Sequence, residues 1–274
     1  MNHNLSKEQI QSYRKNGFLI VDNFLNPEEV KHWKNTIDKA VIDRRGTKFP
    51  HSEIKSGESD GINDNTDYFG KVFTQIINLW MTDDTVKKLI LDKRIGEMAT
   101  NLAQVDGMRV WHDQSLIKQP WANATAWHLD TPFWSFSHRE AISIWIALED
   151  VTLQNGCLYF MPESNHDTDF IEPGIGANMS DIFNIYPKYR NVEPVSSVIK
   201  AGSCSFHNGL NIHAAGVNMT SKTRNAMTCA FMPDGSTFNG KQNVLPEDYF
   251  KTLKIGDVLN NDKQNPLVYH KDWK

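Results

Sequence analysis

The spacing of apolar positions changes character near residue 105. Before that point apolar residues recur mostly at helical intervals. Residues 6–17 read as a short helix, opened by a capping-box pattern of Ser6 with Gln9 and stopped at Gly17. Phe18-Leu19-Ile20-Val21 follows as a buried strand. Asn26-Pro27-Glu28-Glu29 opens a second helix, with a cap, a first-turn proline and acids near the positive end of the helix dipole. Val30, Trp33, Ile37 and Val41 keep its period, and both helices are expected to brace one face of a β core. Gly46 to Thr66 is rich in Ser, Gly, Asp and Asn, which predicts a loop, either plain surface or a lid. Helical spacing resumes with Phe69, Val72, Phe73, Ile76, Ile77 and Trp80, and two short helices are predicted near 84–91 and 93–104.

Beyond that point the period is two, the signature of strands. Strand-like runs fall at 108–112, 114–118, 142–148, 157–160, 196–199, 203–207 and 225–232. Helices followed by many strands predict an α+β class with a mainly β core, built as a double sheet or barrel. Helical support is expected over about 1–105, the β core over about 106–235, and a polar tail with Pro246 and Pro266 wrapping the surface over about 236–274. No repeat, low-complexity tract or linker interrupts the chain, so 1–274 is expected to form a single domain.

Composition narrows the function classes. The 274 residues are 39% hydrophobic and 23% charged, ordinary for a chain that buries a sizeable core. A net charge of -4 gives no reason to expect nucleic acid or an anionic membrane as partner. No apolar run approaches the roughly 18 residues that span a bilayer. Met1-Asn2-His3-Asn4 lacks the start of a signal peptide, so a cytoplasmic location is expected. Cys157, Cys204 and Cys229 lie scattered in apolar stretches, as reduced buried thiols do.

Among ten histidines, most carry only a structural or exposed reading. His128 differs because Asp130 follows two residues on, within Trp127-His128-Leu129-Asp130. In an extended strand that spacing puts an imidazole and a carboxylate on one side. A second imidazole from His213 would complete a 2-His-1-carboxylate face, suited to a non-haem Fe(II) with open positions for a co-substrate and O2. Arg224 stands eleven residues later at the head of an apolar strand. A buried arginine needs an anion, and its planar fork matches a carboxylate. A dicarboxylate such as 2-oxoglutarate would satisfy both the iron and Arg224, whereas an internal salt bridge is the plainer reading. His207 is a rival distal ligand, on the same expected strand as His213 but without the spacing to Arg224. His112, beside Asp113, reads as a pocket wall because adjacent strand residues face opposite ways.

These residues carry a wider likeness. Leu5-Ser6-Lys7-Glu8-Gln9, Gly17-Phe18-Leu19-Ile20-Val21, Trp127-His128-Leu129-Asp130 and Trp145-Ile146-Ala147-Leu148-Glu149-Asp150 occur in this order. Asn155-Gly156-Cys157-Leu158, Pro162-Glu163-Ser164-Asn165-His166, Ala201-Gly202, Phe206-His207-Asn208-Gly209-Leu210-Asn211-Ile212-His213, Asn218 and Arg224 follow. Over roughly residues 5–232 the chain resembles the phytanoyl-CoA dioxygenase family of Fe(II)/2-oxoglutarate oxygenases. The resemblance implies a double-stranded β-helix, or jelly roll, flanked by N-terminal helices. It implies His128, Asp130 and His213 as iron ligands and Arg224 as partner of the 5-carboxylate of 2-oxoglutarate. Trp145 and Gln114 fall where relatives contact the co-substrate, although an indole on a core strand also packs. Lys71 is a further candidate carboxylate partner. Many relatives place a serine where this chain has Ala215, so one hydrogen bond to the co-substrate is missing or comes from elsewhere. The retained Asp130 argues against the halogenase variation.

The implied reaction couples decarboxylation of 2-oxoglutarate to succinate and CO2 with O2-dependent oxidation of a small organic substrate, by hydroxylation, desaturation or ring closure. Phe133, Trp134 and Phe136 would line the mouth as a substrate wall, or cover the core. No Lys/Arg cluster resembles a nucleotide-phosphate clamp, so a coenzyme A thioester is not required. Two other readings stand beside this one: a non-catalytic jelly-roll protein that binds metal or ligand, and a cupin-type metalloenzyme that uses no 2-oxoglutarate.

Overall fold

A computed structural model describes residues 1–44, 71–176 and 178–273. The expected loop at 46–66 and Phe69 lie outside the described residues. The first helix, α1 (Lys7–Asn16), begins where the sequence places it: the Ser6 hydroxyl accepts the Gln9 N–H, and the Gln9 side chain accepts the Ser6 N–H. Gly17 ends it in the left-handed conformation at φ 80°, which a residue without Cβ adopts at little cost. Asn26 and Glu29 form the same reciprocal cap at the start of α2 (Pro27–Arg44). The strand β1 (Phe18–Val21) lies between them. Asp83 and Asp92 cap α3 (Asp84–Ile90) and α4 (Lys93–Ala103). Tyr13, Trp33, Ile37 and Leu102 pack with Ile144, Phe206 and Met227, so the helices do brace one face of the β core.

The strands form two open antiparallel sheets. The larger comprises β1, β2 (Thr74–Ile77), β3 (Gly107–Lys118), β5 (Ile142–Ala147), β8 (Cys204–Asn208), β10 (Arg224–Pro233) and β11 (Leu267–His270). The smaller comprises β4 (Thr125–His128), β6 (Leu158–Phe160), β7 (Val195–Ser197) and β9 (His213–Ala215), in the order β4-β9-β6-β7. The two runs expected at 108–112 and 114–118 are one strand, β3. A bulge opposite Ala230 and Phe231 shifts its register there. Trp111 thereby enters an aromatic cluster, while His112, Gln114 and Leu116 line the space between the sheets.

Two expectations are corrected. The apolar run through Ile76 and Ile77 is a strand, because it pairs with the second half of β3, Thr74 opposite Ile117 and Ile77 opposite Gln114. A run this short has no helical commitment of its own, and a free strand edge decides its state. The tail does more than wrap the surface. β11 pairs with the first half of β3, and Phe238, Val244, Leu245 and Leu259 are buried against Trp111, Trp134 and Phe136. Arg109 ties it down through Asp262 at 2.6 Å and the Asn265 carbonyl at 3.0 Å. Among the described residues no helix is long and apolar enough to cross a membrane. All three cysteines are buried and free.

Leu259→Ala should therefore cost about 2–5 kcal/mol in chemical denaturation, as truncation of a core leucine does. A tail lying on the surface would show a change within about 0.5 kcal/mol.

Candidate metal centre

His128 is the last residue of β4 and His213 the first of β9, paired across the smaller sheet. The His128 Nδ1 lies 2.8 Å from the Ala126 carbonyl, and the His213 Nδ1 lies 3.0 Å from the Asn211 carbonyl. A carbonyl only accepts, so each Nδ1 carries the hydrogen and each Nε2 presents a lone pair. Those two Nε2 atoms stand 3.7 Å and 3.6 Å from Asp130 Oδ1. The three donor atoms lie within 4.8 Å of one another, a spacing one metal ion can bridge. Neutral imidazole and a carboxylate are the ligand types that suit Fe(II).

Asp130 reaches this point differently from the expectation. It lies beyond β4, with helical dihedrals, at the head of a 3-10 turn over Thr131–Phe133. Its N–H and that of Thr131 both donate to the Gly209 carbonyl, at 2.9 Å and 3.0 Å. A Cβ at position 209 would collide with the Thr131 hydroxyl, so glycine is required for that approach. Burial works to raise the Asp130 pKa, but His213, His207 and His128 outweigh it and hold the carboxyl well below its usual range. Burial pushes the pKa of both His128 and His213 down.

His207 is not on the strand of His213. It belongs to β8 in the larger sheet, and the chain crosses between sheets over 209–212. Its Nε2 lies 3.2 Å from Asp130 Oδ2, and the Ser143 hydroxyl donates to the same oxygen at 3.3 Å. The space between the sheets is a cavity lined by Gln114, His128, Asp130, Trp145, His213, Arg224 and neighbouring residues. Arg224 is 3% exposed and makes no salt bridge among the described residues. One guanidinium nitrogen donates to the Gly156 carbonyl at 3.3 Å, while Nε and Nη1 have no hydrogen-bond partner among the described residues. The guanidinium sits 5.0 Å above the Trp145 ring. Burial pushes its pKa down to about 10.

The outer part of the cavity is lined by Phe73, Gln75, Phe133, Trp134, Asn243 and Val244. Gln114 accepts a hydrogen bond from Gln75 at 2.7 Å and contacts His112 Nε2. Burial holds His112 neutral, with a pKa near 4. Phe133 and Trp134 thus line the cavity, but Phe136 is fully buried in the aromatic cluster. Lys71 is exposed beside Gln119 and Trp121, in a separate recess. Sequence reasoning missed Ser143, Thr125 and Lys118. A lone serine two residues before Trp145 in an apolar strand was a readable signal. Lys118 gave none. It is fully buried opposite Arg224, and its Nζ donates to the Asn123 carbonyl at 2.7 Å and the Val72 carbonyl at 3.1 Å.

Comparison with known proteins shows the family. The model of the phytanoyl-CoA dioxygenase (PhyH) family matches residues 13–226. The chain belongs to that family. A phytanoyl-CoA dioxygenase domain-containing protein 1 homolog of Caenorhabditis briggsae is 24% identical, over 86% of this chain and 94% of that protein. The Arabidopsis thaliana phytanoyl-CoA dioxygenase is 25% identical, over 81% of this chain and 87% of its own length. In fold, the chain is similar to the non-heme alpha-ketoglutarate-dependent carbocyclase SnoK of nogalamycin biosynthesis. The TM-score is 0.78 at 23% identity, covering 97% of both chains. EctD from S. alaskensis, crystallised with 2-oxoglutarate and 5-hydroxyectoine, gives a TM-score of 0.68 at 16% identity over 85% of this chain and 78% of that one. Family membership makes the chain a dioxygenase.

Burial first, and Arg224 second, push the Lys118 pKa down to about 7. Its folded pKa thus lies below its unfolded one, so the unfolded state holds the extra proton between the two values and stability rises with pH there. Without added anion, the stability of the wild type relative to Lys118→Met should climb by about 1 kcal/mol per pH unit between roughly pH 7 and 9. Denaturation at several pH values checks this, and a flat difference would mean that Lys118 is already compensated.

Proposed function

We propose that the protein is an Fe(II)- and 2-oxoglutarate-dependent oxygenase that oxidises a C–H bond of a small organic molecule. The observation that carries this reading is one cavity holding both a His-Asp-His face and a buried guanidinium with two unmatched nitrogens. The two open sheets fit as the halves of a double-stranded β-helix, with the whole chain as one domain. His128 Nε2, His213 Nε2 and an Asp130 oxygen would hold the iron, and Arg224 would pair with the 5-carboxylate of 2-oxoglutarate. Bound iron supplies O2 activation coupled to decarboxylation of 2-oxoglutarate to succinate and CO2.

The remaining work falls to the chain's own residues. Trp145 stacks on Arg224 and excludes water from the carboxylate pair, which strengthens it. Ala215 removes a hydroxyl common in relatives, and Thr125, its partner across the strands, offers one in the same cavity. Gln114 stands on the wall shared by the inner and outer cavity, within reach of co-substrate and substrate alike. Among the described residues lining the outer cavity, Asp130 is the single formally charged one. A charge placed there would be desolvated without a counter-ion. The described lining favours an uncharged part of the substrate, flanked by Phe133 and Trp134.

Succinate formation from 2-oxoglutarate with Fe(II), ascorbate and O2 tests the reading, with a substrate panel as stimulus. His128→Ala and Asp130→Ala should lose metal binding and succinate release together. Arg224→Ala should keep the metal but need roughly 10–100-fold more 2-oxoglutarate, the scale of a lost charge-assisted hydrogen bond. Turnover surviving in Asp130→Ala would overturn the ligand assignment. Wild-type dependence on 2-oxoglutarate in Arg224→Ala would overturn the role of the arginine. Ala215 alone favours a metal-holding protein without turnover, which would bind metal and release no succinate.

A further inference from the structure

We propose that His207, with Ser143, is a positioning residue that keeps Asp130 bound to the metal through one oxygen. The proposal rests on the oxygenase reading above and concerns a histidine that this reading leaves without a task. A carboxylate can hold a metal with one oxygen or with both. Two-oxygen binding would fill one of the positions that the co-substrate and O2 require. In this structure the two oxygens of Asp130 are divided between two sets of partners. Oδ1 faces the Nε2 atoms of His128 and His213, at 3.7 Å and 3.6 Å. Oδ2 faces His207 Nε2 at 3.2 Å and the Ser143 hydroxyl at 3.3 Å.

The tautomers explain why three adjacent imidazoles divide into two kinds. The rings of His128 and His207 lie with centroids 4.1 Å and 4.4 Å from that of His213. His128 and His213 give their Nδ1 hydrogens to backbone carbonyls and so present bare Nε2 atoms. His207 Nδ1 is buried and has no hydrogen-bond partner among the described residues. Its Nε2 faces a carboxylate oxygen, which only accepts, so the hydrogen resides on Nε2. An Nε2 that carries hydrogen cannot ligate a metal. The backbone carbonyls near each ring thus decide which histidines are ligands and which one orients the carboxylate.

The strands fix this geometry. His207 and Ser143 are direct partners across β8 and β5, so their side chains stand on one face of the larger sheet. Both are 3% exposed, and the His207 ring packs 5.6 Å from that of Phe160. The Asp130 N–H donates to the Gly209 carbonyl, and its carboxylate faces residues of both sheets. A hydrogen bond to the second oxygen of a ligating carboxylate costs it the freedom to rotate onto the metal.

The test titrates the full chain with Co(II), then titrates the Co(II)-loaded protein with 2-oxoglutarate, both by calorimetry. His207→Phe keeps the ring volume and loses the donor. It should weaken Co(II) by about tenfold and 2-oxoglutarate by at least as much. His207→Gln, whose amide can donate from nearly the place of Nε2, should restore most of both losses. A packing role would be served by Phe, so wild-type affinities for both ligands in His207→Phe would overturn the proposal. So would a His207→Gln variant as weak as His207→Phe. Abolished Co(II) binding in both variants would make His207 a ligand and overturn it equally. If His207→Phe loses its melting transition, Ser143→Ala takes its place, with weaker 2-oxoglutarate binding at unchanged melting temperature as support and unchanged affinity as refutation. A wild type that binds Co(II) but no 2-oxoglutarate sinks the oxygenase reading, and the Co(II) arm still decides the role of His207.

Discussion

The carboxylate of Asp130 is a half-buried charge lining a cavity, and the structure around it is arranged to make that tolerable. An isolated buried carboxylate would take up a proton, because desolvation penalises the charged form. Here three imidazoles and one hydroxyl surround it, and its pKa falls. The partners come from both sheets: His128 and His213 from the smaller, His207 and Ser143 from the larger. The turn that carries Asp130 hangs from the Gly209 carbonyl, on the segment where the chain passes between sheets. Sheet packing and the metal face are therefore one constraint, satisfied at one residue.

The opposite end of the cavity has the complementary problem. Arg224 and Lys118 bring two buried cations onto neighbouring strands, with Trp145 stacked on the first and carbonyls receiving both. Burial lowers the pKa of each, a sign that the protein holds them at a cost. Two guanidinium nitrogens without partners in a water-poor place are an incomplete hydrogen-bond set. An anion completes it. A cavity with ligand lone pairs at one end and unmatched cationic donors at the other is polarised along its length, as a 2-oxo dicarboxylate is.

Several elements were readable because their causes are local. The capping boxes at Ser6 and Asn26 and the left-handed Gly17 depend on residues within one turn, and each stands as expected. Ile142–Ala147 and Arg224–Pro233 read as strands because each is a short, mainly apolar run, and both prove to be buried on both faces. His128, Asp130, His213 and Arg224 were picked out by their spacing and by the family likeness, and the structure gathers them in one cavity. The run at 74–77 was misread, since the edge that captures it lies some forty residues away on β3. The tail looked polar because its few apolar residues are spaced irregularly, and they are buried only once the bulge in β3 turns Trp111 toward them.

The amino-acid sequence determined which side chains could ligate, which could neutralise a carboxylate, and where helices and most strands begin. Those properties belong to residue types and to neighbours along the chain. Only the tertiary structure decided that His213 Nε2 stands with His128 Nε2 beside one oxygen of Asp130 while His207 Nε2 faces the other. The choice turns on which ring nitrogen meets a carbonyl and on the chain changing sheets between the two, over a span whose course no local pattern encodes. Lys118 likewise was buried beside Arg224 by the pairing of β3 with β10. Identity is a property of the chain, whereas role is assigned by the contacts that folding makes across it.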